Sequence, residues 1–411
     1  MNVEILAVGT ELLLGDILNS NAQYLSKELA NLGMAVYFQT VVGDNPSRLK
    51  QALATAFERS DMVITTGGLG PTKDDLTKEI AAEFFQKELI LHEETLERIA
   101  AFFRSQSLKM AEGNRKQAYI PQGCIVLPND NGTAPGIIIE EEGKILVLLP
   151  GPPPENNPMF ENYVVPHLRS KTKGVFFSRV LRVCGVGESM VENMLEDIIH
   201  NQTNPSIAPY AKIFEVHLRI TASASNEEEA KQMIEPVAAT IRERLADNVY
   251  GEGDTTLEAV VAQLLIDNKY TIACAESCTG GMLTSRLVDF SGVSQVLLES
   301  AITYSNEAKM KRLGVKEQTL EKFGAVSSET AAEMAAGIAR ASGSNVGIAV
   351  TGIAGPNGGT KEKPVGLVYF GLFVNGKITT KECMFHGDRI KIRSRAVAGA
   401  LDYVRRALLK S

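Results

Sequence analysis

The stretch from Ala275 to Lys309 collects the side chains that a nucleophilic hydrolase requires. It holds the thiol of Cys278, several hydroxyls, the phenol of Tyr304 and the ammonium of Lys309, around two glycine-bearing turns that follow a short apolar run. Cleaving an amide needs a nucleophile, a base that deprotonates it, donors for the oxyanion and a proton for the leaving ammonia. The composition of this stretch therefore predicts a hydrolase site.

Three side chains in this stretch compete as the nucleophile, namely Ser277, Ser294 and Cys278. None of the five histidines lies beside a candidate serine, so a Ser-His-Asp triad is not indicated. The base would then be Tyr304 or Lys309, whose pKa must be lowered by burial or by a neighbouring cation. A purely structural interpretation is also open, in which each serine caps a helix and Cys278 is a small buried apolar group.

Two glycine-rich segments, residues 278–281 and 351–359, follow predicted strands of one sheet. Backbone N–H groups and helix starts at strand ends bind phosphate, so a nucleotide could lie between these segments. Arg389 and Arg393 are four residues apart and would project from one face of the last helix, either toward a phosphate or into solvent. The candidate substrate-binding residues are Cys278, Thr279, Gly280, Gly281, Thr351, Gly352, Gly355, Arg389 and Arg393.

The N-terminal part of the chain alternates short apolar strands with amphipathic helices. Strands are predicted at residues 3–8, 35–42 and 62–66. This βαβαβ pattern predicts a parallel sheet with right-handed crossovers, and ligands bind beyond the carboxyl ends of such strands. The polar and glycine residues that follow these three strands are therefore candidates for a second site.

Glycines in this second site would let backbone N–H groups approach a phosphate. Asp44, Asp74 and Asp75 could hold a divalent ion, Mg²⁺ or similar, between the protein and that phosphate. The alternative is a plain tight turn whose aspartates cap the following helix. The candidate ligand-binding residues are Gly9, Glu11, Gly67, Gly68 and Gly70.

Length and pattern together predict an α/β protein of three domains. The chain has 411 residues, too many for one typical core. We expect a parallel-sheet domain at residues 1–170, a small α+β module at 171–253 and a three-layer α/β domain at 254–411. The middle module contains Gly185 and Gly187, which faintly resemble the GxxG loop of KH-type RNA modules, but the next helix is acidic. A spacer or dimerisation role is the preferred interpretation.

Composition limits the classes of function. The chain has 42 basic and 49 acidic residues, a formal charge of −7, which argues against non-specific nucleic-acid binding. Its five cysteines show no CxxC spacing, so we expect reduced thiols, no zinc site and a cytoplasmic protein. We expect neither a secretory signal nor a membrane span.

Motifs in the N-terminal domain resemble a known family. Residues 65–77, together with Gly43 and Asp44, resemble molybdopterin-binding domains of molybdenum-cofactor biosynthesis. Residues 9–15 and 149–153 are similar to the N-terminal domain of the CinA (competence/damage-inducible) family. That resemblance implies a metal-dependent ADP-ribose pyrophosphatase.

Five motifs in residues 255–411 look like the C-terminal CinA domain, which resembles nicotinamide mononucleotide deamidases. They lie at residues 275–281, 304–309, 324–327, 352–356 and 363–366. The resemblance implies hydrolysis of nicotinamide mononucleotide to nicotinic acid mononucleotide and ammonia, in pyridine nucleotide recycling and without a cofactor.

Carried over by position, the resemblance makes Ser294 the nucleophile and Tyr304 its proton acceptor. Ser277, Thr279 and Lys309 would line the site, and Arg389 or Arg393 would reach the phosphate. Two other hypotheses remain: a protein that is mainly an ADP-ribose pyrophosphatase, and a non-enzymatic competence or DNA-damage accessory. A homodimer that binds small-molecule nucleotides is expected in the enzymatic cases, from the base rate of twofold assemblies.

Overall fold

The computed structural model describes residues 1–171 and 174–410. The chain forms two compact units, Met1–Phe177 with Ser223–Ala230, and Ser178–Ala222 with Lys231–Ser411. Within the described residues, no helix combines the length and the apolar character needed to cross a membrane.

The first unit is a mixed α/β structure around a six-stranded sheet. Its elements in chain order are β1 Asn2–Val8, α1 Thr10–Leu14, α2 Ser20–Asn31, β2 Ala35–Val42, α3 Pro46–Arg59, β3 Met62–Thr66, α4 Thr77–Phe84, β4 Leu89–Leu91, α5 Glu93–Ser105, α6 Glu112–Arg115, β5 Tyr119–Pro121, β6 Ile125–Leu127, β7 Gly136–Glu141, β8 Lys144–Leu149, α7 Pro153–Met159 and α8 Val165–Lys171. A 3-10 turn, Lys116–Ala118, and a π-helical turn, Phe160–Val164, complete the list.

The strand order of this sheet is β2-β1-β3-β8-β7-β6. Strands β2, β1, β3 and β8 are parallel, as the βαβαβ pattern predicted, and β7 and β6 add an antiparallel edge. Both faces are buried: Ile5 packs into the core on one face and Leu6 into the core on the other. The chain runs from β1 to β2 on one side of β1 and then crosses to β3 on its other side. Such a change of direction opens a crevice at the carboxyl ends of the strands.

The remaining elements are β9 Val175–Cys184, α9 Glu188–His200, β10 Ser206–Ala211, β11 Glu215–Ala224, α10 Glu227–Leu245, β12 Val249–Glu252, α11 Leu257–Asp267, β13 Ile272–Glu276, α12 Met282–Val288, β14 Leu297–Ile302, α13 Asn306–Leu313, α14 Glu317–Phe323, α15 Ser328–Ser342, β15 Val346–Gly352, β16 Leu367–Val374, β17 Lys377–Met384 and α16 Arg389–Leu408. One sheet has the order β10-β11-β9-β12, and a second has the order β14-β13-β15-β16-β17.

The five-stranded sheet has a parallel part and an antiparallel hairpin. Strands β14, β13 and β15 are parallel, and β16 and β17 continue antiparallel after them. Strand β13 is buried on both faces, because Cys274 faces one hydrophobic core and Ala275 faces another. The chain departs from β13 to β14 on one side and returns to β15 on the other, which produces a second crevice.

Several local predictions differ from the structure. The two glycines within residues 251–254 predict a linker, but residues 249–252 form β12, because they pair with β9. Strand β10 and helices α12 and α14 were missed, since each is short and its burial comes from tertiary packing. The apolar run at residues 270–274 predicts a strand there, but the observed strand β13 is shifted by two residues. It ends at Glu276, whose carboxylate it places inside the core.

A buried ionic network fixes the last helix. Asp402 accepts hydrogen bonds from Arg405 Nε and Nη2 at 3.0 and 2.7 Å, from Arg406 Nε at 2.7 Å and from Cys184 Sγ at 3.1 Å. Arg405 Nη2 also donates to the backbone oxygen of Asp247. The network therefore ties α16 to the strand and turn that flank it.

Candidate functional sites

The carboxyl ends of β13 and β15 bring the first candidate site together. The backbone N–H of Ser277 donates to the oxygen of Val350 at 3.0 Å, so the residue after β13 lies against the end of β15. Lys309, in the first half of α13, reaches the same place because α13 begins directly after β14. Two residues from separate predicted motifs thus meet at the crevice.

Ser277 and Lys309 form a buried hydroxyl–amine pair. Lys309 Nζ donates to Ser277 Oγ at 3.1 Å and to the backbone oxygens of Thr303 and Tyr304 at 2.8 and 3.3 Å. The lysine is only 1% exposed, and burial lowers its pKa. A lysine with a lowered pKa can accept a proton from a serine that it contacts, which activates that serine as a nucleophile.

The loop that carries Ser277 is fixed from two sides. The buried carboxylate of Glu276 accepts the backbone N–H groups of Gly281, Leu283 and Thr284 at 2.9, 3.1 and 2.9 Å. From the other side, Arg393 donates to the backbone oxygens of Cys278 and Thr279 at 3.0 and 2.7 Å.

This role of Glu276 was not predicted, although an acidic residue shortly before a Gly-Gly helix start is a usable signal of a capping interaction. Arg393 was expected to bind phosphate. In the structure its guanidinium supports the loop, through Nε and Nη2.

The structure does not bring Ser294 and Tyr304 together. Ser294 lies in the 3-10 turn Val293–Gln295 before β14, and Tyr304 follows the end of the same strand. The six residues of β14 alone span about 20 Å at the usual rise per residue. The two side chains therefore lie at opposite ends of β14, because that strand makes up most of the ten residues that separate them along the chain.

Of the other predicted residues of this domain, some lie at the edge of the crevice and others hold neighbouring loops in place. Tyr304 is 64% exposed at the rim, where Arg389 Nη2 donates to its hydroxyl at 3.4 Å and Arg389 Nη1 donates to the oxygen of Gly355 at 2.6 Å. Thr351 Oγ1 donates to the oxygen of Ala325, so it supports a neighbouring loop. Gly352 ends β15.

Cys278 is a poor candidate nucleophile in this environment. Its side chain is buried, and burial raises the pKa of the thiol to about 11. The thiolate is the reactive form of cysteine, so this shift makes Cys278 a weaker nucleophile at neutral pH. Of its neighbours, Thr279 is buried and Gly280 is exposed at the loop tip.

The first unit has a cleft of about 430 Å³ at the carboxyl ends of its parallel strands. All eight residues predicted for this site line the cleft: Gly9, Glu11, Asp44, Gly67, Gly68, Gly70, Asp74 and Asp75. Gly67 has φ +104°, and a Cβ there would lie 2.2 Å from the oxygen of Val8, so only glycine allows this close approach.

Two carboxylates of this cleft share one hydroxyl partner. The hydroxyl of Thr72 contacts both Asp74 Oδ1 and Asp75 Oδ2, and this hydrogen bond lowers the pKa of Asp74. Asp44 Oδ2 accepts two hydrogen bonds from Thr10, one from the backbone N–H at 2.9 Å and one from the hydroxyl at 2.8 Å.

In the described parts of the chain, no three His, Cys, Asp or Glu residues are grouped so that they could coordinate a metal ion. The Asp74–Asp75 pair does fit Mg²⁺, which binds through one or two carboxylates and completes its shell with water and substrate phosphate.

Glu155 is a cleft residue that the sequence analysis did not select. It accepts a hydrogen bond from Asn129 Nδ2 at 2.7 Å, and burial raises its pKa. Its helix α7 begins at Pro153, so the proline-rich segment starts a helix and also forms the lip of the cleft. A carboxylate in the first turn of a helix at a strand end was the available signal.

Relatives match the chain along its whole length. A CinA-like protein from Dictyoglomus turgidum is 60% identical over 409 residues, covering 100% of each chain. A CinA-like protein from Kosmotoga olearia is also 60% identical over 409 residues, covering 100% of this chain and 99% of its own. The chain belongs to the CinA family.

Three family models divide the chain of this CinA family member. Residues 4–170 match "Probable molybdopterin binding domain", residues 178–251 match "Damage-inducible protein CinA KH domain", and residues 254–408 match "CinA C-terminal domain". Among solved structures, a competence/damage inducible protein from Agrobacterium tumefaciens is 40% identical, covers 38% of this chain and 97% of its own, and has a TM-score of 0.35.

The KH match changes the interpretation of the middle module. The acidic helix after Gly187 favours a spacer or dimerisation module over the KH-type resemblance. The family model assigns the KH class to this segment. The weak point was the use of charge, which informs about a ligand and not about a fold.

Proposed function

We propose that the C-terminal domain deamidates nicotinamide mononucleotide to nicotinic acid mononucleotide and ammonia. The observation that carries this proposal is the contact of Ser277 Oγ with the buried amine of Lys309 at the crevice between β13 and β15. The test is to incubate the full chain with the mononucleotide and to measure ammonia and the acid product together. Release of neither would refute the assignment.

The residues suggest a two-step hydrolysis. Lys309 Nζ, in its neutral form, takes the proton of Ser277 as Oγ attacks the carboxamide carbon, and an ester to Ser277 forms when the C–N bond breaks. The proton passes from Lys309 to the leaving nitrogen, which departs as ammonia. Water then cleaves the ester, with Lys309 again as the base, and restores the serine. Tyr304 and Arg389 at the rim would orient the nucleotide.

Replacing Lys309 with methionine should lower kcat by about 10²–10⁴-fold, the usual contribution of a general base. Methionine keeps much of the buried volume but cannot take a proton. Lys311→Met, on the exposed face of the same helix, serves as the control and should retain activity. An active Lys309→Met enzyme would exclude the lysine as the base.

The pH profile of the wild type tests the same role without a mutation. Since burial lowers the pKa of Lys309 and the neutral amine is the reactive form, kcat should rise with pH and level off below the ordinary lysine pKa. The measurement is kcat from pH 5 to 10 with saturating mononucleotide. A rate that is flat or falls over this range would contradict the proposal.

A second candidate function is favoured by the cleft in the first unit. We propose that the N-terminal domain is a metal-dependent ADP-ribose pyrophosphatase, in which backbone N–H groups of residues 67–70 hold the pyrophosphate. Asp74 and Asp75 would hold Mg²⁺, which when bound neutralises charge on the phosphates. Glu155, whose pKa is raised by burial, is placed to accept a proton from the attacking water.

Asp75→Asn should lower the rate of ADP-ribose hydrolysis by about 10–100-fold and weaken Mg²⁺ dependence, because the amide is a poor ligand for a hard cation. The readout is AMP formation across a Mg²⁺ titration. Glu112→Gln, an exposed change outside the cleft, is the control and should behave as the wild type. Equal activity of both variants at every Mg²⁺ concentration would remove Asp75 from the site.

We also propose that residues 1–170, 171–253 and 254–411 act as three domains of a cytoplasmic homodimer. The alternative, a non-enzymatic competence or DNA-damage accessory, is consistent with the names of relatives in the family. The two are separated by measuring both reactions on the full chain beside salt-dependent DNA binding, since DNA binding without turnover would favour the accessory role.

A further inference from the structure

Residues 113–117 of the first unit, here called the brace, lie against the loop 69–75 that carries the two carboxylates of the glycine-lined cleft. At one end of this loop, Gln117 Nε2 donates to the backbone oxygen of Leu69 at 3.2 Å. The side chain of Gln117 is buried and lines the same cleft. The brace therefore fixes the first residue of the loop.

Lys116 holds the other part of the loop. Its Nζ donates to the backbone oxygen of Thr72 at 3.2 Å and to that of Asp75. The same ammonium lies 3.5 Å from Glu79 Oε1 in α4, and its side chain is 29% exposed. An ammonium has three donors, and three protein oxygens surround this one. Lys116 is thus committed to the loop and to α4, and it is no ligand of the cleft itself.

The two carbonyls that Lys116 binds stand at the ends of the turn 72–75. Within this turn the N–H of Thr72 donates to Asp75 Oδ2 at 3.1 Å, and the Thr72 hydroxyl contacts carboxylate oxygens of both Asp74 and Asp75. A hydroxyl has one hydrogen, so it can donate to only one of the two carboxylates. Two carboxylates that converge on a single donor form an arrangement that a cation completes.

We propose that Lys116 is a positioning residue for the metal ion of the first unit. It holds the turn 72–75 so that the carboxylates of Asp74 and Asp75 converge before the ion arrives, and it does not bind the ion. This proposal rests on the pyrophosphatase function proposed above, which assigns Mg²⁺ to the same two carboxylates. Positioning raises the affinity for the ion because the turn need not be ordered on binding.

The positive charge of Lys116 acts in the opposite direction, because like charges repel. If charge were its only effect on the site, removal of the ammonium would tighten metal binding. If Lys116 positions the turn, its removal weakens metal binding. The sign of the change in affinity therefore decides between the two roles.

The test measures Mn²⁺ binding to the full chain by calorimetry, without a nucleotide, since Mn²⁺ prefers the same oxygen ligands as Mg²⁺. Lys116→Met should raise the Kd about tenfold, as expected for loss of an outer-shell support. Unchanged or tighter binding by Lys116→Met would overturn the proposal, as would a wild type that does not bind Mn²⁺.

Lys73→Met is the matched control, because it removes the same charge from the same turn. The Lys73 side chain is exposed and has no hydrogen-bond partner among the residues that the structure describes. This variant should bind Mn²⁺ as tightly as the wild type or slightly more tightly. Equal weakening in Lys73→Met and Lys116→Met would show that the contacts of Lys116 are not the cause and would overturn the proposal.

A conservative variant and the metal dependence of catalysis separate positioning from a general loss of structure. Lys116→Arg keeps the charge and can donate to both carbonyls, so it should bind Mn²⁺ more tightly than Lys116→Gln; equal affinities would contradict the proposal even if Lys116→Met does not fold. At saturating Mg²⁺, Lys116→Met should regain the wild-type kcat for ADP-ribose, because only the affinity for the ion has changed. A kcat that stays low at every Mg²⁺ concentration would overturn the positioning role.

Failure of the enzymatic proposal is distinguishable from failure of this one. If the Mn²⁺ affinities follow the expected order but the chain does not hydrolyse ADP-ribose, the pyrophosphatase assignment is wrong and the role of Lys116 stands. If the chain hydrolyses ADP-ribose and Lys116→Met binds Mn²⁺ like the wild type, the role of Lys116 is wrong and the assignment stands.

Discussion

Ser277→Ala is expected to lower kcat for nicotinamide mononucleotide deamidation by about 10³-fold or more, with little change in KM, because the hydroxyl is required only for the chemical step. The side chain is small and buried, and Glu276 and Arg393 hold the loop through its backbone. The variant should therefore fold and still bind substrate. Single-turnover product formation and equilibrium binding of the mononucleotide measure the two effects separately.

Ser294→Ala is the control for this prediction. It removes the hydroxyl that the family resemblance selected, and that hydroxyl lies at the other end of β14. We expect at least half of the wild-type rate, because Ser294 is exposed and lies at the end of β14 away from the Ser277–Lys309 pair. The opposite pattern, an inactive Ser294→Ala and an active Ser277→Ala, would restore the first assignment and refute the Ser277–Lys309 pair.

Asp402→Ala is expected to lower the free energy of unfolding by about 3–5 kcal/mol, because it leaves a buried arginine without its counter-ion. Arg405 is 3% exposed on its side chain, so water cannot replace the carboxylate. Urea unfolding followed by circular dichroism gives the change. Asp388→Ala on the same helix removes only an exposed N-cap and should cost about 1 kcal/mol. Equal losses for the two variants would contradict the role of the buried network.

The same network predicts a dependence on pH. Burial opposes ionisation of Asp402, but the hydrogen bonds from Arg406 and Arg405 prevail and lower its pKa. A carboxyl with a lowered folded-state pKa stabilises the protein fully above its unfolded pKa, about 3.9, and loses this effect as the pH falls through the folded value. The stability difference between wild type and Asp402→Ala should thus be constant near neutral pH and shrink in strong acid.

The fold and the N-terminal cleft were readable from the sequence for a physical reason. Strand β2 was predicted at its observed bounds, since a parallel strand is marked by a short apolar run and a following glycine or helix start. Once the strands were placed, topology brought Gly9, Asp44 and Gly67 to one edge of the sheet. No side-chain contact had to be known.

The C-terminal site was only partly readable, because its chemistry depends on which hydroxyl meets the lysine. Ser277 and Ser294 offer the same hydroxyl group in the same stretch of sequence. Only the position of β14 shows that Ser294 lies at the end of the strand away from Lys309. Glu276 and Glu155 had local signals as carboxylates near helix starts, but the pattern did not indicate that their partners are the backbone N–H of Thr284 and the side chain of Asn129. Periodicity shows that a residue is buried and does not show what it contacts there.

Helix α16 carries Arg393 in its first turns and Asp402 in its later ones, along a 20-residue rod of about 30 Å. A premature stop codon at Leu401 would leave every candidate catalytic side chain encoded, yet it would delete Asp402, Arg405 and Arg406 together. Codons 401–406 should therefore tolerate nonsense mutations as poorly as the codons of the loop that carries Ser277.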